Sequence, residues 1–337
     1  MTSKRKKDHL DLVSTSQTAS ILKDERFNYE PLLGTHPLSL TQVEQPFLGK
    51  KIKAPLWVSS MTGGTKMAGI LNVRLARACK KFGMGMGLGS CRIFLQEKKY
   101  AKDFKLRSVI GDDLPFYANL GIAQVEQNLS REGIKKITEM IKNLEVDGLI
   151  IHINPLQEWL QPEGDRFLKT PLETLKIFLD KVSFPVVVKE VGHGFGPESL
   201  KSLWELPLQG IELAGFGGTN FSLLEIKRKS SQIQGEEALS YVGHSCEEMI
   251  EMIKQITSNN AKSHDLVISG GIKSFLDGHY LLSKLASFHH KNRVSAVYGQ
   301  AYAFLEKAKI SSEVLESFIE KELLGLQMAR SFLRLKD

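Results

Sequence analysis

Chemistry-bearing side chains are densest in the stretch Gly148-Leu-Ile-Ile-His152-Ile-Asn154-Pro155-Leu-Gln157-Glu158. Leu149, Ile150, Ile151 and Ile153 have the length and β-branched content of a buried parallel strand. Pro155 cannot continue its ladder, and just there the side chains turn polar. His152 suits a general base, or equally a histidine satisfied in the core. Glu158, with Gln157 and Asn154, offers oxygen to Mg2+, which needs few protein ligands when phosphate supplies the rest. The plainer alternative is a buried strand followed by an ordinary polar loop.

Other strand ends carry chemistry of their own. Lys189 closes the run Val186-Val187-Val188 beside Glu190. Buried there, it could form a Schiff base, stabilise an anionic cofactor, or form a structural pair with Glu190. Ser269-Gly270-Gly271 and Gly299-Gln300 each precede a helix, and Gly217-Gly218-Thr219 could add a hydroxyl. Glycine-freed backbone N–H groups and a helix N-terminus make an anion site, against the alternative of simple tight turns. In Gly83-Met84-Gly85-Met86-Gly87-Leu88-Gly89 every second residue is glycine, so one strand face is bare and leaves room for something flat. It is not the dinucleotide fingerprint, because each frame lacks the third glycine. Arg92 and the pair Arg5 and Lys6 are candidates for a second anion, although Lys4-Arg5-Lys6-Lys7 alone reads as a solvated tail.

Eight apolar runs must position these groups: Leu56–Ser60, Met84–Gly89, Phe116–Leu120, Leu149–Ile153, Val186–Lys189, Ile211–Ala214, Leu266–Ser269 and Ala296–Tyr298. Between them lie amphipathic segments, among them Met67–Phe82, Val125–Leu144, Pro171–Val182, Glu247–Thr257 and Phe275–Leu285. Strands alternating with helices demand right-handed crossovers and a parallel sheet, and eight units point to a closed (β/α)8 barrel in the α/β class. In such a barrel all the strand ends fall on one rim. A last helix, about 311–334, packs outside. Residues 1–53, polar and punctuated by proline, read as an arm on the body, with 54–337 the barrel and C-terminal helix.

The chain has 337 residues, 42% hydrophobic and 25% charged, which fits one large barrel domain. No run of eighteen apolar residues occurs, so no membrane span is expected, and the basic N-terminus lacks the apolar core of a secretory signal. Cys79, Cys91 and Cys246 are too scattered for a disulfide framework or zinc site, which favours the cytoplasm. The net charge of +7 suits a phosphorylated small molecule better than nucleic acid, since RNA-binding aromatic signatures are missing.

Taken in order, Arg5-Lys6-x-Asp8-His9-Leu10, Ser60-Met61-Thr62-Gly63-Gly64, Gly89-Ser90-x-Arg92, Asn119-Leu120-Gly121, His152 to Glu158, Val188-Lys189-Glu190-Val191-Gly192, Gly217-Gly218-Thr219 and Ser269-Gly270-Gly271-Ile272 resemble the type 2 isopentenyl-diphosphate isomerases over essentially the whole chain. The resemblance implies an FMN-dependent barrel that interconverts isopentenyl and dimethylallyl diphosphate, with FMN reduced (NADPH as donor) and Mg2+ bound. It implies that Ser60, Met61, Thr62, Gly63, Ser90 and Asn119 line the flavin, with Lys189 at its N1/C2 edge. Thr219, Gly270, Gly271, Gly299 and Gln300 would hold the FMN phosphate. Arg5, Lys6, Ser90, Cys91, Arg92 and Gln157 would hold the substrate diphosphate, with Glu158 on Mg2+. Reduced flavin would act as the acid/base, with His152, Gln157 and Lys189 as the catalytic side chains around it. A homo-oligomer, tetramer or octamer, is implied too, with the arm reaching a neighbour.

Cys91 stands where the family usually has glutamine, and Asn220-Phe221 replaces Ser-Trp. The stretches Lys227–Ser245 and Leu285–Val297, the latter with His289-His290-Lys291, also depart from the pattern. An FMN-dependent oxidoreductase of the 2-hydroxy-acid dehydrogenase type is the rival on the same barrel. It would want a histidine base and paired arginines late in the barrel, where this chain offers Lys273. A nucleic-acid-binding protein using the Lys4–Lys7 run would not need eight polar strand ends.

Overall fold

The computed structural model describes residues 2–40, 44–60, 65–96, 102–229, 235–258, 262–288 and 294–336. Eight strands close into a barrel. They are β1 (Leu56–Val58), β2 (Gly85–Gly87), β3 (Phe116–Gly121), β4 (Gly148–Ile153), β5 (Val186–Glu190), β6 (Gly210–Glu212), β7 (Asp265–Ser269) and β8 (Ala296–Gln300). Every neighbouring pair is parallel, and β8 meets β1 through Tyr298↔Leu56 and Gly299↔Trp57. The expected (β/α)8 barrel is the fold observed.

Strand alternation sorts the side chains into two cores. Leu56, Met84, Met86, Phe116, Ala118, Leu149, Ile151, Val186, Val188, Leu266 and Ile268 face outward and join the helices in one cluster. Trp57, Tyr117, Ile150, Val187, Val267 and Val297 face inward and fill the lower barrel. Two residues further along the same strands, on the same inward face, stand Ser59, Asn119, His152, Lys189, Ser269 and Gly299, with Glu212 in register beside Lys189. The interior is therefore apolar at the bottom and polar at the top.

A hairpin closes the bottom. Gln45–Phe47 pairs antiparallel with Lys50–Ile52, and Leu48 (φ 48) and Gly49 (φ 78) form the turn with left-handed backbone at both positions. Phe47, Leu48 and Ile52 pack beneath Trp57 and Tyr117, each such burial contributing about 1.5–3 kcal/mol. The Leu48 N–H donates to Asp265 Oδ2 at 2.6 Å, which ties the plug to β7.

The crossover helices are α1 (Lys66–Phe82), α2 (Arg131–Leu144), α3 (Pro171–Leu179), α4 (Pro197–Trp204), α5 (Cys246–Thr257) and α6 (Phe275–Phe288), followed by α7 (Tyr302–Ile310) and α8 (Ser312–Phe332). The segment read as one helix over Val125–Leu144 is two, Ile122–Gln127 and α2. Ser130 makes the break: its hydroxyl accepts from Gly133 N–H at 3.1 Å and starts α2. Thr170 and Ser245 start α3 and α5 with capping boxes.

Before the plug, Phe27–Tyr29 pairs antiparallel with Leu333–Leu335, and Arg26 bonds Asp24 and Asp277. The first helix, Thr2–Leu12, is exposed over residues 3–12. Among the described residues no helix is long and apolar enough to cross a membrane.

Candidate active site

A cavity of about 790 Å³ opens at the C-terminal rim, between the ends of β5 to β8 and β1. Lys189 stands on one wall. The glycine turns Gly217-Gly218 and Gly270-Gly271 form another, and the start of α7 a third.

Strand register explains the polar floor. Lys189 lies beside His152 on β4 and Glu212 on β6. His152 Nδ1 sits 2.7 Å from Asn119 Oδ1 on β3; with the carboxamide oxygen facing the ring, Nδ1 donates and Nε2 remains an acceptor. Burial, then the Lys189 charge, draws the His152 pKa down to about 3, so the ring is neutral at neutral pH. A ring so hard to protonate is a poor general base and a good fixed hydrogen-bonding group.

Lys189 is buried and donates from Nζ to the Glu190 carbonyl at 2.7 Å. The Glu190 carboxylate points the other way, as strand alternation requires. Its Oε2 accepts from the N–H groups of Gly192 (2.6 Å), His193 (2.5 Å) and Gly194 (2.9 Å). Burial still pushes its pKa up. The structural alternative, Lys189 held by the Glu190 carboxylate, is thereby replaced: the ammonium faces the cavity on a backbone contact.

The glycine turns interlock. Gly270 has φ +96, and a Cβ there would collide with the Gly215 backbone; one on Gly218 would press on Gly271 N at 3.0 Å. Only glycine lets these two loops pack backbone to backbone beside the cavity. The two helix starts differ. Before α6, Asp277 Oδ2 takes the N–H groups of Lys273 (2.9 Å) and Ser274 (3.1 Å), so that N-terminus is closed to an anion. At α7 no side chain caps Ala301, the first turn has no acidic residue, and Ala301, Tyr302 and Ala303 line the cavity. Of the two helix starts, only that of α7 is left open beside the glycine turns.

Several buried polar atoms on the cavity wall have no hydrogen-bond partner: Ser59 Oγ, Ser60 Oγ and Glu212 Oε2. The bare face of β2 serves differently from the sequence reading. Trp57 occupies the space at Gly85, and Ile150 with Ser60 that at Gly87, so the lower part of that face is filled by the protein itself.

A second network stands at the ends of β3, β4 and β6. Asn154 Nδ2 donates to Gln157 Oε1 (3.1 Å) and Glu158 Oε1 (3.0 Å), and Glu158 Oε2 accepts from Asp165 N–H (2.8 Å). Asp165 also holds Arg92 (3.0 Å), Gln124 (2.9 Å) and Gln127 (3.0 Å). Gln157 Nε2 donates to Glu225 Oε1 at 3.1 Å, and Arg228 donates to Glu225 Oε2 at 2.8 Å. Arg228 also pairs with Glu163.

The structure thus brings Ser60, Lys189, Thr219, Gly270, Gly271, Gly299 and Gln300 to one cavity. His152, in register with Lys189, and its partner Asn119 stand on the neighbouring strands without lining that cavity, and Arg92, Gln157 and Glu158 share the neighbouring network. Ser90 is exposed, its hydroxyl 3.4 Å from Arg92 N. Three assignments are not gathered in. Cys91 is fully buried in the outer core, where burial pushes its thiol up to about 12, so it does not face a diphosphate. Arg5 and Lys6 lie on the exposed first helix and are not among the residues that line the cavity. Met61, Thr62 and Gly63, like His289-His290-Lys291, fall outside the described residues.

Glu212, Asp165 and Glu225 escaped sequence reading. Glu212 lies within an apolar run. Asp165 and Glu225 gather partners up to 73 and 68 residues away, a separation that no local spacing reveals.

No family model matches the chain. Curated relatives do. It is 32% identical over 321 residues to the isopentenyl-diphosphate delta-isomerase of Rickettsia akari, covering 94% of this chain and 89% of that protein. It is 33% identical over 333 residues to the enzyme of the same name from Rickettsia rickettsii, covering 96% and 91%. Among solved structures it is similar to a mandelate oxidase variant with a monooxide FMN adduct, with a TM-score of 0.56, 13% identity and coverage of 93% and 88%. A mandelate oxidase with (S)-2-phenylpropionate gives 0.54, 12%, 92% and 86%. At such identity the likeness to the oxidases establishes the barrel fold alone.

Proposed function

The chain belongs to the isopentenyl-diphosphate delta-isomerase family, of the type 2 form, and from that membership we propose that it interconverts isopentenyl and dimethylallyl diphosphate at a bound reduced FMN, with Mg2+ on the diphosphate. One observation carries the cofactor reading. A single cavity is lined by a buried lysine, by glycine turns and an uncapped helix start, and by unpartnered polar atoms. That set of groups fits a ligand that carries both an anionic ring and a phosphate.

Ser60, Asn119 and Lys189 would hold the ring, and Thr219, Gly270, Gly271, Gly299 and Gln300 the phosphate. When bound, reduced FMN supplies the proton donor and acceptor for moving the double bond. The chain's own part is to position and to exclude water. Protonating an unactivated alkene creates a tertiary cation, which water would capture. Neutral His152, fixed by Asn119, adds no positive charge near that cation.

Mg2+ fits in a limited sense. Among the described residues no three His, Cys, Asp or Glu side chains gather as a metal cluster. Each Glu158 oxygen holds one N–H donor and keeps lone-pair capacity, and Asn154 Oδ1 is buried without a partner. These oxygens suit a Mg2+ whose other ligands come from a diphosphate. Arg92 and Gln157 would contact that diphosphate, with Arg5 and Lys6 supplied by the arm of a neighbouring copy in a homo-oligomer. NADPH is the proposed reductant.

The deciding experiment is anaerobic: purified protein, FMN, NADPH or dithionite, Mg2+ and isopentenyl diphosphate, with product read by NMR. Dimethylallyl diphosphate formed only with reduced flavin is the expected result. Bound reduced flavin without product would overturn the isomerase reading and favour an oxidoreductase.

A further inference from the structure

Glu212 is not among the groups assigned to flavin, phosphate or diphosphate, yet it is the most buried charged side chain on the cavity wall, with 0% exposure. Its Oε1 accepts from Ser269 Oγ at 3.0 Å. Its Oε2 is buried and has no partner. A buried carboxylate oxygen without a donor costs about 1–3 kcal/mol or more, so the position makes sense only if something donates to it. A carboxylate oxygen is satisfied by a donor, so a ligand that completes this site brings an O–H or N–H.

Its place in the barrel narrows that group. Glu212 is in register with Lys189 on one side, and Ser269, its bonded partner on the other side, leads directly into Gly270-Gly271. It therefore stands on β6, between the strand that carries Lys189 and the strand that leads into the glycine turn. Resting on the FMN reading, we propose that Glu212 is a cofactor-binding residue whose Oε2 accepts a hydrogen bond from a hydroxyl of the chain linking the flavin ring to its phosphate.

The test compares two probes on the full chain: FMN, and a flavin whose N10 side chain is an unsubstituted 5-phosphopentyl group without hydroxyls. Affinities are read by flavin fluorescence quenching for the wild type, Glu212→Ala and Glu212→Gln, with circular dichroism reporting folding. The wild type should prefer FMN by about tenfold or more. In Glu212→Ala that preference should shrink at least fivefold, because FMN binding weakens while the analogue is little affected. Should the alanine variant fail to fold, the same comparison is made with Glu212→Gln, whose neutral amide should reduce the preference by about threefold or more. An undiminished preference in a folded variant overturns the role of Glu212 and leaves the cofactor reading intact. Wild-type protein that binds neither probe overturns both.

Discussion

His152 Nδ1 lies 2.7 Å from the side-chain oxygen of Asn119, one strand away, and this contact holds a neutral imidazole next to the Lys189 ammonium. The His152 pKa is drawn down from 6.5 to about 3, and His279, buried and facing Arg330, goes down to about 4. Below pH 6.5 the unfolded chain takes up protons that the folded chain refuses, so stability falls as pH falls. Each histidine steepens that fall by about 1.4 kcal/mol per pH unit between 6.5 and its native value. Urea midpoints measured from pH 7.5 down to 4.5 should show this, and His152→Gln should flatten the slope by close to one proton. An unchanged slope would mean His152 titrates normally.

Lys189→Ala should lower FMN retention at least tenfold, or leave bound flavin unable to hold its reduced anionic form. Flavin content after gel filtration and the spectrum on anaerobic reduction would read the two effects. Normal retention with a normal reduced spectrum would sink the assignment.

Glu158→Gln should abolish activation by Mg2+ and keep flavin. The amide also loses acceptor strength toward Asp165 N–H, so a loss of stability of about 1 kcal/mol is expected alongside. A titration of rate against Mg2+ that matches the wild type would remove Glu158 from the metal site.

Arg92→Ala should raise KM for isopentenyl diphosphate about tenfold with a smaller change in kcat, as loss of a charge-assisted phosphate contact predicts. Asp165→Asn should act in the opposite sense on charge, by releasing Arg92 from its carboxylate, but it also loosens the Gln124 and Gln127 contacts. Equal KM values for wild type and Arg92→Ala would place the diphosphate elsewhere.

Gly270→Ala should cost about 1–3 kcal/mol of stability and most of the FMN affinity. The left-handed backbone disfavours any Cβ, and the added methyl would strike the Gly215 backbone. A variant with wild-type melting temperature and flavin content would mean that the two loops do not pack as described.

The barrel was legible because its strand ends change character abruptly. Val188 to Lys189 and Ile153 to Asn154 pass from apolar to polar just where the sheet stops. Lys189, Gly270 and Gln300 could be found for that reason. Glu212 could not, because a single carboxylate inside Ile211–Ala214 looks like an ordinary strand residue until the inward row is known. Arg92 stands out at the end of its glycine-rich strand, but its hold on Asp165 does not, since the loop carrying Asp165 has no period to read. At Cys91 the position suggested the rim, and the structure turns the side chain into the helix layer. The plug at Gln45–Ile52 was read only as part of an arm, because three-residue strands leave too short a pattern.

That plug makes the barrel a stoppered vessel. Phe47, Leu48 and Ile52 fill the lower interior, and Leu48 is fastened to Asp265, so traffic through the barrel axis is barred from below. Whatever rests on the polar floor must enter and leave past whatever lies above it. With flavin and diphosphate bound as proposed, exchange should be last in, first out: a saturating diphosphate is expected to trap the flavin, and release of flavin into a chase of apoprotein should slow as substrate is added.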